Sequence, residues 1–143
     1  MTRVVLDANT VISALFWNGV PLLAYEAAGT KRVMLITSED LLTELETVLS
    51  RPKFKAVFTA IGSDVERVLA QHRAISEIVI PVEVPQDIVR DSKDRVVLAC
   101  AVGGNVDYIV TGDKDLLILE SYAGIKIINA ARFLEWLNET KLQ

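Results

Sequence analysis

Arg3-Val-Val-Leu-Asp7 is a run of three apolar residues, two of them β-branched, that ends on an aspartate. A half-solvated strand alternates apolar and polar side chains, so an unbroken run asks for cover on both faces, as in a parallel sheet. Four more runs of this kind follow: Val33-Met-Leu-Ile36, Ile78-Val-Ile80 before Pro81, Tyr108-Ile-Val-Thr111 and Lys126-Ile-Ile-Asn129. Helical patterns lie between them. The clearest is Ser38 to Ser50, with Leu41, Leu42, Leu45, Val48 and Leu49 on one stripe, a cap at Thr37 or Ser38, and Pro52 just beyond. Pro21 to Ala28 reads as a helix closed by Gly29. Pro52 to Phe58 and Ser63 to Ile75 read as a helical pair broken at Gly62. Asp94 to Val102 is stopped by Gly103-Gly104, and Ala130 to Leu137 is the last helix. Strand and helix alternate throughout, which predicts an α/β fold: one three-layer domain, residues 1–143, with a mostly parallel five-stranded central sheet flanked by helices.

Composition narrows the function. With 143 residues, 51% hydrophobic and 24% charged, the chain is the size of one domain and too apolar for a disordered tail. Its longest apolar run, Val96 to Val102, is seven residues, where a bilayer needs about 20. No hydrophobic segment near Arg3 leads to a cleavage site, so the expectation is a cytoplasmic protein without a membrane span. Cys100, the single cysteine, cannot form an intramolecular disulfide and reads as a small buried hydrophobe. A formal net charge of −4 argues against binding nucleic acid through bulk charge.

In such sheets ligands bind beyond the carboxyl ends of the strands, and those ends are acidic here. Asp7 ends the first strand, and Asp113 and Asp115 follow the fourth. Asp94, with Asp91 just before it, opens the helix leading into the fourth, and Glu44 lies one turn into the helix after the second. Glu44 stands about 100° from the centre of its helix's apolar stripe, at the margin of core and solvent. Taken singly, each has a duller reading: Asp7 and Asp94 as helix caps, Asp113 and Asp115 as turn residues, Glu44 as a solvated flank charge. Together at one sheet edge they repel by several kcal/mol unless a cation lies between them. Mg²⁺ or Mn²⁺ suits an all-oxygen set, and no His or Cys cluster favours zinc. Such a site suits hydrolysis of a phosphodiester by water.

These residues fall in segments that resemble the PIN-domain ribonucleases: Val5-Leu-Asp-Ala-Asn-Thr-Val-Ile-Ser-Ala-Leu15, Leu42-Thr-Glu-Leu-Glu-Thr-Val-Leu49, Arg90-Asp-Ser-Lys-Asp-Arg-Val-Val-Leu-Ala-Cys-Ala101 and Asp107-Tyr-Ile-Val-Thr-Gly-Asp-Lys-Asp-Leu-Leu117. The nearest branch looks like the bacterial and archaeal toxins of toxin–antitoxin systems related to VapC. The resemblance implies that Asp7, Glu44, Asp94 and Asp113 form a catalytic, metal-binding quartet, that Asn9, Ser13 and Thr111 support it, and that Asp115 is a further acid beside it. It also implies Mg²⁺ or Mn²⁺ dependence, single-stranded RNA as substrate, a homodimer or higher homo-oligomer, and an antitoxin protein that blocks the site. In this branch the third motif commonly has a proline and another acid where this chain has Ser92 and Arg95. Arg95 is placed to pair with Asp91 or Asp94 and weaken the local negative field.

For substrate contact, Arg51, Lys53, Lys55, Arg67, His72 and Arg73 fall in the middle helical pair with Phe54 and Phe58 interleaved. They read either as a phosphate-binding surface or as an ordinary solvated helix face with both phenylalanines packed inward. Phe16, Trp17 and Tyr25 are base-stacking or dimer-interface candidates, though core packing accounts for them as simply. Two other functions remain. A receiver-like phosphoacceptor domain would want paired acids after the first strand, and Asp7 has no acidic neighbour. A non-catalytic binding module that has lost its metal finds its only support in Arg95.

Overall fold

The computed structural model describes residues 1–16, 25–26 and 32–141. The helix expected over Pro21 to Ala28 falls largely outside them, as do Gly29 and Trp17. Among the described residues, β1 (Arg3–Leu6) leads to α1 (Ala8–Phe16), and β2 (Met34–Thr37) to α2 (Glu39–Leu49). A 3-10 turn (Pro52–Phe54) then precedes α3 (Lys55–Ile61), α4 (Val65–Ala74) and β3 (Ser76–Ile78). The chain continues through α5 (Ser92–Gly103), β4 (Tyr108–Val110), α6 (Lys114–Leu117), β5 (Ser121–Tyr122), β6 (Ile125–Ile128) and α7 (Ala130–Lys141).

The sheet order is β3-β2-β1-β4-β6-β5, and every pairing is parallel except β5 with β6. Alternate strand residues serve opposite faces. Val4, Leu6, Leu35 and Val110 join a core under α1, α2, α3, α4 and α7, and Val5, Ile36, Ile109 and Ile127 join one under α5 and α6. Burial on both sides is the reason these strands carry apolar residues without alternation.

Two expectations about strands change. The sheet has six strands rather than five, because Ser121–Tyr122 adds a two-residue antiparallel edge strand too short to leave a sequence pattern. The third strand is Ser76–Ile78 rather than Ile78–Ile80: Leu35 pairs with Ser76, the Val79 N–H still reaches the Thr37 carbonyl, and Ile80 stands 87% exposed. Beyond it the chain crosses the end of α5. A Cβ on Gly103 would meet the Ile80 carbonyl oxygen at 2.2 Å, so the crossing needs glycine there.

The middle helical pair is not a uniform basic face. Phe54 and Phe58 are buried, and Phe16 packs on both at ring separations of 5.4 and 5.3 Å, so these three rings are core. His72 is buried rather than a surface cation. It stacks on Tyr25, whose hydroxyl lies 2.9 Å from its Nδ1, and desolvation lowers its pKa to about 4. Arg73 is paired with Glu39 at 2.7 Å, and Arg67 donates to the Gly62 carbonyl. Cys100 is a free, fully buried thiol, as expected. Among the described residues no helix is long and apolar enough to cross a membrane.

Candidate metal centre

From β1 the sheet grows through β2 to one side and through β4 to the other, which opens a crevice beyond the carboxyl ends of β1 and β4. Asp7 leaves β1 at that point, and Thr111 to Asp115 leave β4. The crossover helices α1, α2, α5 and α6 all begin at this edge. Several of the acids therefore cap helices as well as face the crevice.

Asp7 is 7% exposed. Its Oδ1 accepts the Thr10 N–H at 2.8 Å, capping α1, and its Oδ2 accepts the hydroxyl of the buried Thr111. That hydroxyl oxygen in turn accepts the Asp113 N–H at 2.9 Å. Asp113 caps α6, its Oδ1 accepting the Asp115 N–H at 2.8 Å. A continuous chain of hydrogen bonds thus runs from Asp7 through Thr111 and Asp113 to Asp115.

On the other side of the crevice, α5 starts two residues before the expected Asp94. Its cap is Asp91, which accepts the Lys93 N–H at 2.9 Å. Asp94 then falls in the first turn, 5% exposed, and its Oδ2 is buried with no hydrogen-bond partner among the described residues. Desolvation above all, then the charge of Asp113 and a hydrogen bond with it, and the charges of Asp91 and Asp115, push its carboxyl up to about 7. Asp94, Asp113 and Asp115 each present an oxygen within 4.8 Å of the other two, a group that could hold a metal ion.

A buried carboxylate oxygen without a donor, in a set made of oxygens alone, fits a hard divalent cation. Asp115, read from sequence as an accessory acid, is one of the three. Asp7 is tied to the group through Thr111. Glu44 is half-buried on α2, outside the group. Desolvation raises its pKa first of all; Lys93 opposes the rise, Asp7 and Asp91 add to it, and Arg51 lowers it. Its carboxyl is therefore within reach of the charge on Asp7.

Asn9 and Ser13 line a neighbouring cleft of about 320 Å³ with Gly112 and Asn129. Arg51 lines a groove between α2 and α5, Lys53 holds its ammonium 5.1 Å from the Phe54 ring centre, and Lys55 opens α3 exposed to solvent. Arg95 pairs with neither acid. It donates to the Gln86 and Val89 carbonyls at 3.2 Å, which removes the ground for a site emptied by its charge. Sequence reasoning passed over Lys93, in the same groove as Arg51, and Arg90, which lies 3.5 Å from Asp115. A larger depression of about 530 Å³ sits at the opposite end of the sheet near Asp107, Lys126 and Trp136, away from Asp94, Asp113 and Asp115.

The PIN-domain family model matches residues 3–115, which takes in β1, the capped acids and the turn after β4. This chain belongs to the PIN-domain family. No curated protein matches it. PIN domains are generally nucleases, and this PIN domain has its acidic group where the sheet topology opens a ligand crevice.

Proposed function

We propose that this PIN domain is a metal-dependent endoribonuclease that hydrolyses phosphodiester bonds of single-stranded RNA and serves as the toxin of a toxin–antitoxin pair. The observation that carries the nuclease reading is the buried, unpartnered Oδ2 of Asp94 beside Asp113 and Asp115. So costly a carboxylate has a physical reason to persist if a cation meets it in the working protein. When bound, Mg²⁺ or Mn²⁺ would supply charge neutralisation at the phosphate and would acidify a water.

The chain's own residues divide the remaining work. Asp94, Asp113 and Asp115 would hold the ion. Asp7, fixed by the Thr10 N–H and the Thr111 hydroxyl, keeps a set position beside those acids and would add its negative charge to the field that attracts the ion. Glu44, its pKa raised by desolvation, is suited to take a proton from the attacking water. Asn9 and Ser13 offer neutral hydrogen-bonding groups in the adjoining cleft for the strand on one side of the cleaved bond. The domain spans residues 1–143 and works in the cytoplasm as a homodimer, with an antitoxin protein covering the crevice.

The test is RNA cleavage with Mn²⁺, with and without a chelator. Cleavage is expected only with the metal and is expected to be lost in Asp7→Asn. An Asp7→Asn protein that cleaves as fast as the parent removes the assignment.

A further inference from the structure

The crevice poses an electrostatic problem for the substrate class proposed above. Asp7, Glu44, Asp91, Asp94, Asp113 and Asp115 lie close enough that Asp94 and Glu44 feel the charges of several of the others, and the whole protein is acidic. One or two divalent ions leave such a site without a positive excess, so a polyanionic strand approaching it needs cations outside the ion's own ligands.

Two such cations stand in one groove. Between α2 and α5 is a depression of about 340 Å³, with Asp40 and Glu44 from α2 along one wall, Arg51 just past the end of that helix, and Ser92, Lys93 and Val96 from α5 opposite. Arg51 and Lys93 are exposed, and among the described residues neither has a carboxylate within ion-pair distance. Both nevertheless act on Glu44 through their charge, which puts them at the mouth of the acidic crevice. Three arginines are otherwise engaged: Arg73 by Glu39, Arg95 by two loop carbonyls and Arg90 by Asp115. The rotation of α5 accounts for the division of labour. Asp94 turns inward to its acidic partners, and the residue before it, 100° round the helix, projects into the groove.

We infer that the α2–α5 groove binds the backbone of single-stranded RNA, with Lys93 and Arg51 each holding a phosphate next to the one at the acids. This assignment rests on the nuclease reading for its substrate but can fail separately from it. Arg51 matches a phosphate with two donors in a planar fork, and Lys93 serves as a point charge. The groove's open shape and apolar Val48 and Val96 suit a sugar–phosphate strand whose bases are left facing outward.

Binding of a fluorescein-labelled single-stranded RNA, measured by anisotropy in chelator over a series of salt concentrations, tests the groove without cleavage. Lys93→Gln combined with Arg51→Gln is expected to weaken binding about 10-fold and to flatten the plot of log K against log salt by about 1.4, the loss of two phosphate contacts to a single strand. In Mn²⁺ the same protein is expected to raise KM about 10-fold, with the larger part of the loss in kcat/KM carried by KM. Lys126→Gln, at the opposite end of the sheet, controls for bulk charge and is expected to leave the slope unchanged. A parent that does not bind RNA, or a double variant with the parent's slope and affinity, overturns the groove assignment. Binding that depends on both cations, without cleavage in any divalent metal, upholds the groove and sinks the nuclease instead.

Discussion

The hydroxyl of Thr111 donates to Oδ2 of Asp7 across 104 positions of sequence, and the same oxygen accepts the Asp113 N–H at 2.9 Å. One side chain thereby fixes the acid after β1 relative to the acid after β4. Thr111→Val, nearly equal in volume, removes both bonds and leaves Asp7 without one of its donors. The expected cost is about 1–2 kcal/mol of stability, read by urea denaturation, with kcat for RNA reduced about 10-fold and RNA affinity unchanged. A variant with the parent's kcat would mean that the bridge does not position the acids.

Asp94 predicts an inverse relation between stability and activity. Its folded pKa, about 7, lies above its ordinary value of 3.8, so the ionised form is penalised in the folded state. The penalty is absent below pH 3.8, grows as pH rises to 7, and is fully present above that. Asp94→Asn in chelator should therefore raise the unfolding free energy at pH 8 by on the order of 1 kcal/mol, and give no gain at pH 3.5. The same variant should lose the stabilisation that Mn²⁺ gives the parent, together with all cleavage.

His72 sets an acid limit. Its pKa is about 4 folded, against 6.5 ordinarily, so the unfolded chain binds a proton that the folded one refuses. Stability is whole above pH 6.5 and falls as pH drops toward 4, by roughly 3 kcal/mol at most for this group. His72→Gln should be the less stable protein at pH 7.5, having lost the ring stacked on Tyr25, and should lose less than the parent on going to pH 4.5. Parallel thermal melts of the two proteins check this.

Gly103→Ala drives a methyl group into the Ile80 carbonyl, and backbone on both sides leaves little room to relax. A loss of about 2 kcal/mol or more is expected, seen as a lower denaturation midpoint. Gly112→Ala, with nothing within 4 Å of the added carbon, is the comparison that should cost far less.

Much of this was legible because burial leaves a strong pattern. Val4-Val5-Leu6 and Ile109-Val110 are apolar on both faces of the sheet, and a strand with one wet face would not carry such a run. Ile78-Val-Ile80 misled because β-branching measures a preference, whereas the edge strand is fixed by its pairing with β2. Glu77 belongs to that strand opposite Ile36, and its side chain pairs with Arg3. Ser121–Tyr122 is too short to carry a period. At the crevice, the residue types announced Asp7, Asp94 and Asp113. Asp115 read as a turn residue or a further acid, and the fold brings its oxygen beside those of Asp94 and Asp113. Lys93 was hidden by a shift of helix start: with Asp91 rather than Asp94 as the cap, every side chain in the first turn of α5 points elsewhere than expected.

The double employment of Asp7, Asp91 and Asp113 as helix caps has an evolutionary corollary. Asparagine closes a helix about as well as aspartate but brings no negative charge. On the proposed chemistry, a single-nucleotide change at the Asp7 or Asp113 codon would thus yield a chain that keeps its fold and loses an acid of the site. Capping alone therefore gives no reason for an acid rather than an amide at these two positions.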